Sequence, residues 1–280
     1  MLWVLALISV LVITFTSDAR TELQIARNQY ETARARALAD AGVSLAILGL
    51  LDASPETRWR GAGEEHQIAY GGGSIRVSVQ DEAGKISLND APPEILASLF
   101  RTLGETPADS AGLAATIAQW RDRRRSEWAT TATAAGSANV QTPEPFLTIE
   151  ELRLVPGVTS AFYERVSLYL SVYVDDAQVD PVTAPAEVLR SLPGLNAQEV
   201  DAYIAQRGNA VFARLPPVPG LSPFANPVGR TVTIKSEGRT ASGTQFVREA
   251  VVATTGAREE AYRLLVWRQA ESRHDADQGG

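Results

Sequence analysis

The chain opens with MLWVLALISVLVITFT (residues 1–16) and runs on through SDARTELQIARNQYETARARALADAGVSLAILGLL (17–51) without a proline. The first charged residue is Asp18. Beyond it, the apolar residues narrow to a stripe with the three- and four-residue steps of one helix face: Leu23, Ala26, Tyr30, Ala33, Ala37, Ala41, Leu45 and Leu48. The stretch therefore predicts one helix of roughly 50 residues, about 75 Å long at ~1.5 Å per residue.

The uncharged opening suits a lipid bilayer, and residues 1–17 are predicted to be the transmembrane part of this helix. Sixteen residues cover only roughly 24 Å of a hydrocarbon core about 30 Å thick, and no basic flank precedes them. We therefore expect Met1 to be an internal start that lacks a basic leader. A buried soluble helix is one alternative. A cleaved signal peptide is another, but the helical pattern continues past the point where such a peptide would end.

Composition limits the classes of function. The chain has 280 residues, 45% of them hydrophobic, and a net charge of −7, which allows one good core or two small ones and argues against a nucleic-acid surface. The absence of cysteine excludes disulfides and thiolate chemistry. The two histidines, His66 and His274, give no basis for a catalytic triad or a multi-histidine metal site, so we expect no enzyme activity.

The rest of the chain indicates an α+β fold. Alternating residues predict strands at Gln67–Tyr70 and Ser74–Gln80 around a glycine turn, and alternation returns after Arg230. Between them lie short helical segments punctuated by Pro and Gly. The simplest arrangement is a long helix packed on an antiparallel sheet, with an inserted all-helical domain. The predicted boundaries are a transmembrane part at 1–17, a core part at 18–86, the insertion at 87–215, a Pro-rich connector at 216–229, a second core part at 230–268 and a disordered tail at 269–280.

The predicted insertion contains an internal echo. Residues 85–96 (KISLNDAPPEIL) and 178–189 (QVDPVTAPAEVL) share an extended piece, an Asn or Thr cap, an Ala-Pro pair and an acidic residue at a helix start. Two further segments, 150–158 and 188–195, share a helix that ends in Pro-Gly and an aliphatic residue. These Pro-Gly turns are similar to the helix-hairpin-helix element of DNA-binding proteins.

The chemistry of the turns does not favour DNA. A phosphate-binding hairpin uses glycines to expose backbone N–H groups at a helix start. Here Thr159 and Asn196 stand where a second glycine would be, and residues 87–209 contain nine arginines, no lysine and sixteen acidic residues, a net charge of −7. Packing or protein contact is the better interpretation. A membrane-anchored DNA receptor of the competence type remains the alternative function.

Several motifs in order carry a family resemblance. They are LWVLALISVL (2–11), ARNQYETARARALADAGV (26–43), VQDEAGKISLNDAPPEIL (79–96), WRDR (120–123), FLTIEELRLVPGVT (146–159) and DPVTAPAEVLRSLPGL (180–195). Taken together, this set resembles the general secretion pathway protein K family, the large minor pseudopilins of type II secretion. The resemblance covers most of the chain up to about Gly208, and the strands after Arg230 fit it by pattern only.

The resemblance implies a pilin-like fold whose inserted helical domain is SAM-like, or helix-hairpin-helix-like. It implies a processed prepilin, anchored by one pass in the inner membrane with its body in the periplasm, which joins the tip of the pseudopilus. The implied partners are the I- and J-type minor pseudopilins and the inner-membrane secretion platform, and the implied role is export of folded proteins. We expect the outward face of the first helix to contact bilayer or partner helices through Leu5, Ile8, Val12, Phe15, Leu23 and Tyr30, while Ala37, Ala41, Leu45 and Leu48 hold the sheet.

Family resemblance also suggests calcium in the inserted domain, with Asp122 and Glu127 as the candidate ligands. This chain departs from the pattern there, because Arg123, Arg124 and Arg125 follow Asp122. Calcium takes about 6 to 8 oxygen ligands, several of them carboxylates. A solvated loop over this region is the expected arrangement, and no other cofactor is implied.

Overall fold

The computed structural model describes residues 2–54, 56–134, 144–174, 178–209, 230–255 and 261–270. The helices are α1 (Leu2–Leu50), α2 (Pro93–Thr102), α3 (Pro107–Ala134), α4 (Ser160–Val166), α5 (Ala186–Ser191) and α6 (Ala197–Asn209). The strands are β1 (Ala62–Tyr70), β2 (Gly73–Asp81), β3 (Ile86–Ser87), β4 (Leu170–Ser171), β5 (Thr231–Thr240), β6 (Gln245–Thr254) and β7 (Tyr262–Ala270). Two 3₁₀ turns lie at Glu82–Gly84 and Ile149–Leu154.

One five-stranded sheet, in the order β1-β2-β5-β6-β7, has every neighbouring pair antiparallel. The lower half of α1 packs across β2, β5 and β6 on one face of this sheet. The mixed fold of a long helix on an antiparallel sheet, which the sequence predicts, is therefore confirmed. The apolar side chains between helix and sheet form the first core: Leu38, Val43, Ala46, Ile75, Val77, Val79, Val232, Ile234, Ala250 and Val252.

The helix face that meets the sheet differs from the predicted stripe. Of the predicted residues, Ala37 and Leu48 are exposed, and Ala41 and Leu45 are only half-buried. The buried face is instead rich in small residues: Ala35, Leu38, Ala39, Gly42, Val43 and Ala46. Small side chains bring the backbones close, since a Cβ added at Gly238 of β5 would lie 2.3 Å from the carbonyl oxygen of Ala35. Ala41 and Leu45 do pack against this core, whereas Ala37 and Leu48 face solvent, so the predicted stripe is right at two of its four residues and wrong at the other two.

The segment between β2 and β5, called here the insert (residues 82–209), has its own core around Phe100, Leu96, Ile117, Phe146 and Leu152. It is not entirely helical, because β3 and β4 pair in parallel at Ile86↔Leu170 and Ser87↔Ser171. The solvated loop expected after Asp122 is also wrong in its first part, since α3 continues to Ala134. The predicted Pro-rich connector at 216–229 and most of the predicted tail lie outside the described residues.

Among the residues that the structure describes, no helix is both long enough and apolar enough to cross a bilayer. The predicted lipid or partner contacts of Leu5, Ile8, Val12 and Phe15 concern side chains outside the described ones. The membrane assignment of residues 1–17 therefore stays a prediction.

Candidate functional site: the exposed helix and the sheet–insert junction

The part of α1 between Arg20 and Tyr30 stands clear of the body, and every residue in it is exposed. It presents large apolar side chains to solvent, with Leu23 61% and Tyr30 65% exposed. Exposed apolar residues on one element are typical of a surface that contacts another molecule. Of the six predicted membrane or partner residues, the structure thus describes two side chains and finds both uncovered.

The helix is anchored just below this exposed part. The hydroxyl of Ser242, in the β5–β6 turn, donates a hydrogen bond to the carboxylate of Glu31, and this bond holds the pKa of Glu31 below its usual value. On the other side, the Arg34 guanidinium donates to the carbonyl oxygen of Gly71 in the β1–β2 turn at 2.7 Å. Two hairpin turns therefore hold α1 by hydrogen bonds at the point where it leaves the sheet. These bonds fix the direction of the exposed part.

A buried cluster of charges joins the sheet to the insert. Arg230, just before β5, places its Nε 2.7 Å from an Asp81 carboxylate oxygen and its terminal nitrogen 3.3 Å from a carboxylate oxygen of Asp180. Asp81 ends β2 and Asp180 belongs to the insert, and both are almost fully buried. One guanidinium thus bridges two carboxylates from different parts of the chain. The sequence analysis did not predict this site. Asp81 directly follows the alternating segment 74–80, and Asp180 lies within the repeated segment 178–189.

Burial dominates the electrostatics of this cluster. Burial raises the pKa of Asp81 to about 6, and repulsion from Asp180 and Glu82 raises it further. Arg230 and the hydrogen bond from the Ala83 amide lower this pKa, but by less than burial raises it. The pKa of Asp180 is also raised by burial. The guanidinium is shared, and its contact with Asp81 Oδ2 is an ion pair that lacks hydrogen-bond geometry. Because one cation is shared by two carboxylates, it offsets only part of the cost of burying each negative charge.

Neutral hydrogen bonds fix the same junction. The Gln80 side-chain amide donates to the Thr183 carbonyl oxygen at 3.0 Å, and the Asp180 amide donates to the Ala83 carbonyl oxygen at 2.8 Å. Gly84 lies so close to Thr183 that an added Cβ would meet its backbone at 2.6 Å. The stretch 178–184 is therefore seated directly on the end of β2, which holds the insert in a defined orientation.

Two of the motifs that carry the family resemblance contact each other. Arg121, within WRDR, is buried and donates to the carbonyl oxygens of Leu88 at 3.3 Å and Ala91 at 2.9 Å. Asn89 of the same loop exchanges two hydrogen bonds with the backbone of Phe146, at 3.0 and 2.9 Å. These motif residues build the interior of the insert, which is a structural role rather than a chemical one.

The helices that begin in the two similar segments, 85–96 and 178–189, lie side by side, since α2 packs on α5. The predicted Asn and Thr caps are wrong: the N-cap residues are Pro92 and Pro185, and neither makes a side-chain cap bond. The first-turn acids Glu94 and Glu187 are present as predicted.

The Pro-Gly turns do have the conformation of tight helix connections, with φ of 87° at Gly157 and 85° at Gly194. At the start of the helix after each turn, backbone amides already donate hydrogen bonds to side chains of the same chain. Thr159 accepts a hydrogen bond from the Phe162 amide at 3.1 Å, and Asn196 accepts one from Glu199 while the Glu199 carboxylate accepts from Asn196, both at 2.9 Å. A carboxylate at such a helix start repels phosphate, so the geometry disfavours the DNA-receptor alternative.

The calcium candidates do not converge. Asp122 and Glu127 lie five positions apart on α3, which puts their side chains about 140° apart around the helix, and both are exposed. Among the described residues, no group of three or more acidic or histidine side chains is placed to hold a metal. The two carboxylates do not fit a calcium ion as a pair, and a calcium site stays a prediction.

His66 is used in packing. Its ring stacks on Trp59 with centroids 3.6 Å apart and planes 8° apart, and Trp59 in turn covers Gly49 near the end of α1. The Glu64 carboxylate accepts from the backbone amides of residues 60–62. These contacts cover the C-terminal end of α1 and order the loop that joins it to β1.

This geometry defines a class of protein in which a long helix packs on an antiparallel sheet and projects beyond it. In the same class, an insert interrupts the chain between two strands of the sheet and packs against it. Residues 77–175, from β2 to just past β4, match the family model for protein K of the type II secretion system. The match covers 99 of the 280 residues, so the likeness to this family is shown for that segment.

Among solved structures, the chain is similar to a chain of the GspK-GspI-GspJ complex from the type 2 secretion system of enterotoxigenic Escherichia coli. The two are 16% identical, the match covers 91% of this chain and 100% of the other, and the TM-score is 0.49. No curated protein matches the sequence.

Proposed function

We propose that this chain is a minor pseudopilin that acts at the tip of the type II secretion pseudopilus, in assembly of the pseudopilus and in export of folded periplasmic proteins across the outer membrane. The observation that carries the proposal is the exposed part of α1, which projects large apolar side chains from a body whose insert matches the protein K family. The proposed partners are I- and J-type minor pseudopilins, the classes that accompany GspK in the Escherichia coli complex.

The proposed location is the inner membrane, with residues 1–17 as the anchor and the body in the periplasm. The uncharged character of the opening sixteen residues supports this placement, and the absence of cysteine is compatible with an oxidising compartment. The proposed role is structural.

The test is co-purification of the full chain with the I- and J-type pseudopilins of the same host from detergent-solubilised membranes, with duplex DNA binding measured in parallel. We expect a stable complex and no DNA shift. Tyr30→Asp should weaken the complex, because it puts a charge into the proposed helix contact. Tyr70→Asp is the matched control, since Tyr70 is a comparably exposed tyrosine on β1. Equal loss with both variants, or DNA binding without a pseudopilin complex, would overturn the proposal.

A further inference from the structure

A cleft of about 590 Å³ lies between the insert and the face of the sheet opposite α1. Clefts of roughly 300–1,000 Å³ between structural units are where proteins most often bind ligands. Because α1 and the cleft occupy opposite faces, a molecule in the cleft leaves the exposed helix free. The cleft is therefore a second surface, distinct from the proposed helix contact.

The floor of the cleft is a single row of residues across all five strands. The register pairs Glu65 with Ser78, Ser78 with Lys235, Lys235 with Glu249, and Glu249 with Arg268, and all five line the cleft. Neighbouring strands are about 4.8 Å apart, so the row is roughly 19 Å long. That length matches about six residues of extended polypeptide at ~3.3 Å per residue.

The cations in the cleft are already paired within the chain. Lys235 lies 3.3 Å from Glu249, and Arg268 lies 2.5 Å from the same carboxylate and also contacts Glu150. Away from this row, Lys85 pairs with Glu82 at 2.5 Å, and Thr233 donates to the same carboxylate at 2.6 Å. Every lysine and arginine of the lining is thereby neutralised.

Two carboxylates of the lining are left over. Within the described residues, neither Glu65 nor Glu187 forms an ion pair, although Glu187 influences Arg190, which is itself paired with Asp201. Glu65 sits at the β1 end of the row and is exposed. Glu187 follows the stretch 178–184 that Gln80 of β2 holds, so it lies on the same side of the cleft. In the part of the chain that the structure describes, this end of the cleft is therefore acidic and has no counter-charge.

The opposite wall is the continuous segment 167–173, a turn followed by β4 and the bend after it, which includes Tyr169 and Tyr173. Burial and the nearby Glu82 raise the pKa of Tyr173, so its phenol stays protonated. Aromatic rings attract cations over their faces, and phenols hydrogen-bond to peptide groups. The wall thus offers contacts suited to a polypeptide with a basic side chain.

We infer that this cleft binds an extended polypeptide segment of a partner protein, with a lysine or arginine side chain of that segment lying between Glu65 and Glu187. The inference goes beyond the proposed pseudopilin role and does not need it. The charged row orients the segment, the tyrosine wall covers it, and the acidic end selects for a basic residue.

The test uses the full chain in detergent and three fluorescein-labelled peptides of eight residues, blocked at both ends and identical except for two adjacent positions that are Lys, Gln or Glu. Fluorescence anisotropy measures their affinities. We expect the Lys peptide to bind at least about tenfold more tightly than the Glu peptide, and its affinity to fall as salt rises, because partly exposed ion pairs are screened.

The decisive variant is Glu65→Gln combined with Glu187→Gln, which should reduce the roughly tenfold preference for the Lys peptide over the Glu peptide to about twofold or less. Glu237→Gln is the matched control: Glu237 lies on the same sheet face, is paired with Arg76 at 3.7 Å and does not line the cleft. Absence of binding by all three peptides, equal binding of the Lys and Glu peptides, or an unchanged preference in the double variant would overturn the inference. No pseudopilin is present in this assay, so its failure is separable from failure of the proposed function.

Discussion

The substitution Asp81→Asn tests whether burial or pairing controls the buried charge cluster. Asp81 lies 2.7 Å from Arg230 Nε, which alone would favour the ionised carboxylate, yet burial raises its pKa to about 6 from 3.8. A raised pKa means that the folded protein binds the proton more tightly than the unfolded chain does. Its contribution to stability is then fully present below about pH 4 and is lost as the pH rises through about 6.

The size of the effect follows from the shift. About two pKa units at ~1.4 kcal/mol each correspond to about 3 kcal/mol of unfolding free energy lost between pH 4 and pH 7. Asparagine cannot titrate, and its oxygen can still accept the hydrogen bond from the Ala83 amide at 2.9 Å. The wild type should therefore lose about 3 kcal/mol more than the variant over this range.

The assay is urea unfolding of both full chains in non-ionic detergent at a series of pH values, followed by tryptophan fluorescence. Only the change with pH is compared, so a constant offset from the substitution does not matter. Asp180, whose pKa is also raised by burial, titrates in both chains. Parallel curves, or a wild type that gains stability relative to the variant as the pH rises, would refute the reasoning and show that Arg230 outweighs burial.

Three further predictions concern packing. Gly238→Ala should lower the unfolding free energy by about 1–3 kcal/mol because its Cβ would press into α1, whereas Gly112→Ala on α3, with nothing within 4 Å, should not destabilise; chemical denaturation of both variants checks this. Val43→Asp should prevent folding of the sheet core, while Leu48→Asp, at a 67% exposed position, should leave the melting temperature within a few degrees; equal effects would contradict the corrected helix face. Arg121→Ala should cost about 2–4 kcal/mol, since it leaves two buried carbonyl groups unpaired, and hydrogen exchange should rise first in residues 88–91.

The elements of the sheet core could be predicted from local sequence. Helical spacing without proline indicated α1, and two-residue alternation indicated β2 and the strands after Arg230. The buried face of α1 could not be predicted, because it depends on Gly238, a residue of β5 whose missing side chain lets Ala35 and Ala39 approach. Spacing alone does not distinguish the stripe that holds Ala37 and Ala41 from the neighbouring one that holds Ala35 and Ala39, although only the latter lies against Gly238.

The junction could not be predicted for a related reason. Asp81, Asp180 and Arg230 are far apart in sequence, and nothing in their local patterns distinguishes them from surface charges. Only the fold brings them together. The capping errors are of another kind, since Pro92 and Pro185 themselves occupy the N-cap positions, and proline has no side-chain oxygen that could accept a capping hydrogen bond.

The position of the insert explains why a bulky segment can interrupt the sheet. It leaves after β2 and returns before β5, and these strands are direct neighbours in which Asp81 pairs with Val232. Departure and return therefore occur at one point, and the sheet stays continuous. At that point Arg230 ties both chain ends to Asp180 of the insert, and farther along the face Arg268 contacts Glu150. These two separated ion-pair attachments act together with the neutral hydrogen bonds of the junction to set the orientation of the insert relative to the sheet. A change that alters Asp81 is thus expected to affect the geometry of the cleft as well as stability.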